Sequence, residues 1–124
     1  MVTGLEKNAD CVFFAQENFD TIFCRYRQAD ITVDAIPQAD VYVAFEILEH
    51  LDSPHRLIGR LPPGKLLWSM PVNDISQFHK RGYSVSQIDY LMGRGGWFQA
   101  GDGLIVPRDR AWFAPNNVIG MREV

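Results

Sequence analysis

The chain has 124 residues, a net charge of -3 and three histidines, with 47% apolar and 22% charged residues. That composition suits one globular domain, burying roughly two thirds of its unfolded surface, and not a disordered tail or fibre. An acidic balance gives no general attraction for phosphate backbones, no stretch approaches the roughly 18 apolar residues that span a bilayer, and two isolated cysteines, Cys11 and Cys24, suit a reducing, cytoplasmic compartment.

"VTGLE" at 2–6 predicts a short strand ending in an acid, followed by a helix whose cap is Asn8 and whose spacing of Val12, Phe13, Ala15 and Gln16 is helical. "TIFCRYRQADI" predicts a second strand. "QADVYVAFEI" predicts a third, and its near-continuous apolar content fits a strand of a parallel sheet buried on both faces. "DSPHRLIGRL" predicts a helix begun by Ser53 with Pro54 at the first position, broken by "PPGK" before a fourth strand, "LLWSMPV". "SVSQIDYLMGRGG" predicts a helix capped by Ser84 or Ser86, with Ile88, Leu91 and Met92 on one face and a glycine stop at 93–96. "WFQAGDGLIVP" and "AWFAPNNVIGMR" read as two closing strands joined through 107–110.

Strands alternating with helices predict one α/β domain over 1–124: an open, Rossmann-like, mostly parallel sheet with an antiparallel closing strand and helices on both faces. In such sheets ligands gather outside the carboxyl ends of the strands, where Glu6, Asp30 and Glu46 fall.

From residue 2 to the end the chain resembles class I S-adenosylmethionine-dependent methyltransferases. "VTGLEKNADCVFFAQEN" is similar to that family's second strand and next helix, "QADI" to its adenine segment, and "DVYVAFEILEHLDSPHRLIGRLPPGKLLWSMP" to its fourth strand, following helix and fifth strand. "LPPGK" stands for the common "LKPGG", and "FHKRGYSVSQIDYLMGRGGWF" is similar to the "H-x-R-x-[FY]-[ST]" segment, helix and "GW" ending. The resemblance implies S-adenosyl-L-methionine as cofactor, Glu6 on its ribose hydroxyls, Asp30 and Ile31 beside its adenine, and Phe45 and Glu46 also facing it. It implies methyl transfer to an oxygen, or secondarily a nitrogen, of a small-molecule acceptor. The family's first strand and glycine-rich turn, however, precede the segment at which this sequence begins, and no glycine run precedes Glu6. That central strand would belong to a longer protein or to a second chain, or else the sheet has closed up; cofactor binding by this chain alone is expected to be weak or absent. The alternative is a degenerate binding or assembly module that keeps the sheet without catalysis.

If residues 46–50 are helical, Glu46, Glu49 and His50 share one face at i, i+3 and i+4. Two carboxylates and an imidazole, with His79 as fourth ligand, suit a divalent cation such as Mg²⁺ or Mn²⁺. The pattern is similar to that of small-RNA 2′-O-methyltransferases and ubiquinone-biosynthesis O-methyltransferases. His50 or His79 is alternatively a metal-free general base, or the segment is a polar rim. Lys80 to Tyr83, Arg94, Trp97 and Phe98 mix cations and rings as a base-stacking surface does, or as rings closing a core do.

Overall fold

The structure is a computed structural model that describes residues 1–72, 82–93, 97–101, 104–107 and 117–124, by backbone alone at 97–101, 104–107 and 117. The chain divides into two units, Met1–Ile36 and Pro37–Val124.

The first unit is β1 (Val2–Glu6), α1 (Ala9–Phe19) and β2 (Cys24–Gln28). The strands are parallel, with Val2 opposite Cys24 and Glu6 opposite Gln28, so α1 is their crossover. Asn8 caps α1 as expected: its Oδ1 accepts from the amides of Asp10 at 2.8 Å and Cys11 at 3.3 Å. Gln16 Nε2 donates to the Tyr26 carbonyl at 2.9 Å, fastening the helix to β2. Val12 is buried on α1, whereas Phe13, Phe14 and Phe19 stay exposed, the last two edge-to-face at 6.0 Å.

The second unit contains β3 (Val41–Phe45), a 3-10 turn (Leu48–His50), α2 (Pro54–Ile58), β4 (Lys65–Pro71), α3 (Val85–Met92), β5 (Trp97–Gly101), β6 (Leu104–Pro107) and β7 (Asn117–Glu123). Its sheet runs β3-β4-β7-β5-β6. β3 and β4 are parallel, while β7 is antiparallel to β4 and β5, and β6 is antiparallel to β5. Hence β3, β4 and β5 share one direction and β7 and β6 oppose it, the Rossmann-like α/β arrangement with antiparallel closure.

Two details depart from expectation. "WFQAGDGLIVP" forms two strands, with Gly101 opposite Leu104. The intervening Asp102-Gly103 is a two-residue hairpin sequence. In β3 only Ala44 is buried, and Val41, Val43 and Phe45 are 49%, 62% and 45% exposed. These three alternate onto one face of a strand whose partner among the described residues is β4 alone, and burial on both faces is not achieved within this unit.

The core lies along β4, where Leu66, Trp68 and Met70 alternate inward, and includes Leu48, Ile88 and Val118, each fully or almost fully buried. Burial of side chains of this size stabilises by about 1.5–3 kcal/mol each. Ser84 is the cap of α3 in a reciprocal box with Gln87, Ile88 and Met92 form its buried face, and Gly93 stops it at φ 85. No helix among the described residues is long and apolar enough to cross a membrane.

Candidate functional site

In the first unit the two expected acids stand at the carboxyl ends of paired parallel strands, since Glu6 ends β1 and Asp30 lies two residues beyond the end of β2. Glu6 Oε1 accepts the Asn8 amide at 2.7 Å, and the Glu6 carbonyl accepts the Ala29 amide at 2.9 Å. The carboxylate is thereby oriented at the mouth of α1. Asp30 Oδ2 pairs with Lys7 Nζ at 2.7 Å. Its Oδ1 accepts from the Thr32 amide at 2.9 Å and the Thr32 hydroxyl at 2.5 Å, while its own amide donates to Asp34 Oδ2 at 2.7 Å. The Lys7 bond, then those from Thr32, hold the Asp30 carboxyl well below the usual carboxylate range, and the same pairing raises Lys7. Ile31 is half-buried in the turn that follows.

In the second unit the site residues form one continuous segment leaving β3. Phe45 is opposite Ser69 in the β3/β4 register, and Glu46 follows at φ 53, in the left-handed region. That conformation costs a non-glycine residue about 1–2 kcal/mol. It is met by Ser69, whose carbonyl and Oγ accept the Glu46 amide at 3.3 and 3.2 Å and whose hydroxyl donates to Glu46 Oε1 at 2.6 Å. A hydrogen bond to a charged group is worth roughly 1.5–3 kcal/mol, which matches the backbone cost.

The expected metal trio does not assemble. A shared face requires helical backbone from Glu46, but the left-handed residue prevents it and only Leu48–His50 turn, in 3-10 form. Glu49 is fully buried, His50 is 42% exposed at its side chain, and Glu49 Oε1 lies 3.9 Å from His50 Nε2. Among the described residues no three acids, histidines or cysteines are grouped to hold a metal ion. The donor set of Glu46, Glu49 and His50 therefore does not fit a divalent cation. His79, the fourth expected ligand and second candidate base, lies outside the described residues, as do 74–78, Lys80 and Arg94. Tyr83 is buried, as a ring closing a core would be.

Lys7, Thr32 and Ser69 went unnoticed in the sequence. Each carries a signal: a base directly after a strand-end acid, a hydroxyl two residues after Asp30, and a lone hydroxyl inside an apolar strand.

No protein family's sequence profile matches this chain, and no curated protein matches it by sequence. Solved structures do. A S-adenosylmethionine-dependent methyltransferase from Thermotoga maritima matches with TM-score 0.69 and 13% identity over 100% of this chain and 72% of its own. One from Mesorhizobium loti matches with TM-score 0.68 and 13% identity over 99% and 80%. The magnesium protoporphyrin IX methyltransferase of Synechocystis PCC 6803, solved with bound S-adenosylhomocysteine, matches with TM-score 0.65 and 10% identity over 99% of this chain, which spans 64% of that protein's length. At such identities the likeness establishes the fold: the chain has the class I architecture of S-adenosylmethionine-dependent methyltransferases.

Proposed function

We propose that the chain is the cofactor-side portion of a S-adenosylmethionine-dependent methyltransferase acting in the cytoplasm, which transfers methyl to an oxygen, or secondarily a nitrogen, of a small-molecule acceptor. The observation that carries the reading is the placing of acids at the carboxyl ends of β1, β2 and β3 in this fold, where open α/β sheets take their ligands. Bound S-adenosylmethionine supplies an electrophilic sulfonium methyl. Glu6, its Oε1 already turned by the Asn8 amide, accepts ribose hydroxyls in charge-assisted bonds of roughly 1.5–3 kcal/mol. Asp30, kept ionised by Lys7 and Thr32, accepts from the adenine amine, and Ile31 covers the ring. Phe45 and Glu46, at the end of β3, are assigned to the cofactor by the family resemblance. His50, half-exposed on the rim, takes the acceptor's proton, a role His79 would share.

The reading needs a strand and glycine-rich turn that the sequence before Glu6 does not contain, supplied by a longer protein or by a second chain completing the sheet. Ultraviolet cross-linking of methyl-labelled S-adenosylmethionine tests the reading; Glu6→Gln and Glu46→Gln are expected to cut labelling about tenfold, the loss of roughly one charge-assisted bond. Equal labelling of wild type and both variants would refute it. The second reading is a binding or assembly module that keeps the sheet without catalysis. An in-frame strand and glycine-rich turn encoded upstream of Met1 favours the enzyme, and an in-frame stop there favours the module.

A further inference from the structure

Glu46 is the only non-glycine residue with positive φ among the described residues. Glutamate lacks the short polar side chain that lets Asn or Asp enter the left-handed region, so its surroundings must select this conformation. Ser69 does so from the adjacent strand. One hydroxyl carries one proton and two lone pairs, so Ser69 Oγ both accepts the Glu46 amide at 3.2 Å and donates to Glu46 Oε1 at 2.6 Å. Ser69 Oγ thus ties the carboxylate to β4 and shares the amide with the Ser69 carbonyl, which accepts it at 3.3 Å. The carboxylate rotates only by giving up that bond. No protein group among the described residues bonds Oε2, and Glu46 is only half-buried.

We propose that Ser69 is a positioning residue: by bridging the amide and carboxylate of Glu46 it holds the acid in the left-handed conformation and presents Oε2, as acceptor, to a hydroxyl or ammonium group of the ligand. This rests on the reading of Glu46 as a ligand-facing acid, and Ser69 itself touches no ligand. Threonine keeps the hydroxyl and suits a strand, whereas alanine removes both Oγ bonds and leaves the Glu46 amide only the backbone carbonyl of residue 69.

The test is nuclear magnetic resonance of the full chain as wild type, Ser69→Ala, Ser69→Thr and Glu46→Ala, reading the HN–Hα coupling and the Cα and Cβ shifts of residue 46, which report φ. The left-handed signature is expected in wild type and Ser69→Thr and lost in Ser69→Ala, with the signals of α3 unchanged. Glu46→Ala, which leaves the core untouched, is expected to lose it too, so the question is decided even if Ser69→Ala fails to fold. A left-handed residue 46 in folded Ser69→Ala or in Glu46→Ala overturns the assignment. Titration with S-adenosylhomocysteine tests the underlying reading separately. If wild-type Glu46 does not respond, the cofactor role of the acid fails while φ still decides the role of Ser69. If it responds, Ser69→Ala is expected to weaken binding about tenfold and Ser69→Thr to restore it, the equivalent of losing and regaining one charge-assisted bond.

Discussion

Asp30 is a heavily engaged candidate acid, holding the Lys7 ammonium and both the amide and hydroxyl of Thr32. Its folded carboxyl titrates below the ordinary value of about 3.9, so its contribution to stability is complete above that pH and is lost as pH falls through and below it. Lys7 is raised, so its contribution is complete below its ordinary value of about 10.4 and is lost as pH rises beyond it. The urea midpoint of wild type is therefore expected to exceed that of Asp30→Asn by a constant margin from about pH 5 to 9, and the margin to shrink below about pH 4. A margin that widens on acidification contradicts the assignment. Such engagement was not visible in "QADI", because Asp30 gains its charge partner from Lys7, across the β1/β2 ladder. The left-handed Glu46 was equally hidden, since Ser69, 23 positions later, selects it.

At the scale of elements, what is local was legible and what is relational was not. Asn8, Ser84 and Gly93 were readable as cap and stop because cap chemistry is confined to a few adjacent residues. Ser84→Ala removes the acceptor for the Gln87 amide and is expected to cost about 1 kcal/mol in chemical denaturation; an unchanged midpoint would show the box to be idle. "PPGK" was readable as a break, but the reason for its glycine is spatial. A Cβ on Gly64 would lie 2.7 Å from the Ala39 carbonyl oxygen, a backbone atom that cannot swing aside. Gly64→Ala is expected to destabilise by about 1–3 kcal/mol, measured by urea unfolding. The composition of "VYVAF" announced a strand able to be buried on both faces, yet it could not say how many neighbours the strand has. The insertion of β7 between β4 and β5 is likewise long-range.

At the scale of the whole molecule, the alternation of strands and helices sufficed for the architecture, and solved methyltransferases share it. Residues 1–36 comprise one helix and a two-stranded sheet, and Phe13, Phe14, Phe19, Ile22 and Phe23 are all more than half exposed. So small a unit holds too little core to fold by itself. A peptide of residues 1–36 is expected to show no cooperative thermal transition by circular dichroism, and a sharp transition would contradict this. In the proposed function the strand-end acids receive S-adenosylmethionine, weakly while no glycine-rich turn accompanies them. The most direct measurement is a nuclear magnetic resonance titration of the chain with S-adenosylhomocysteine. Selective, saturable shifts at Glu6, Asp30, Ile31, Phe45 and Glu46 are predicted, with a dissociation constant of about 0.1–1 mM, or roughly 4–5.5 kcal/mol of binding. Unmoved signals at those five residues in millimolar ligand would contradict the account, and low-micromolar affinity would contradict its need for a supplied turn.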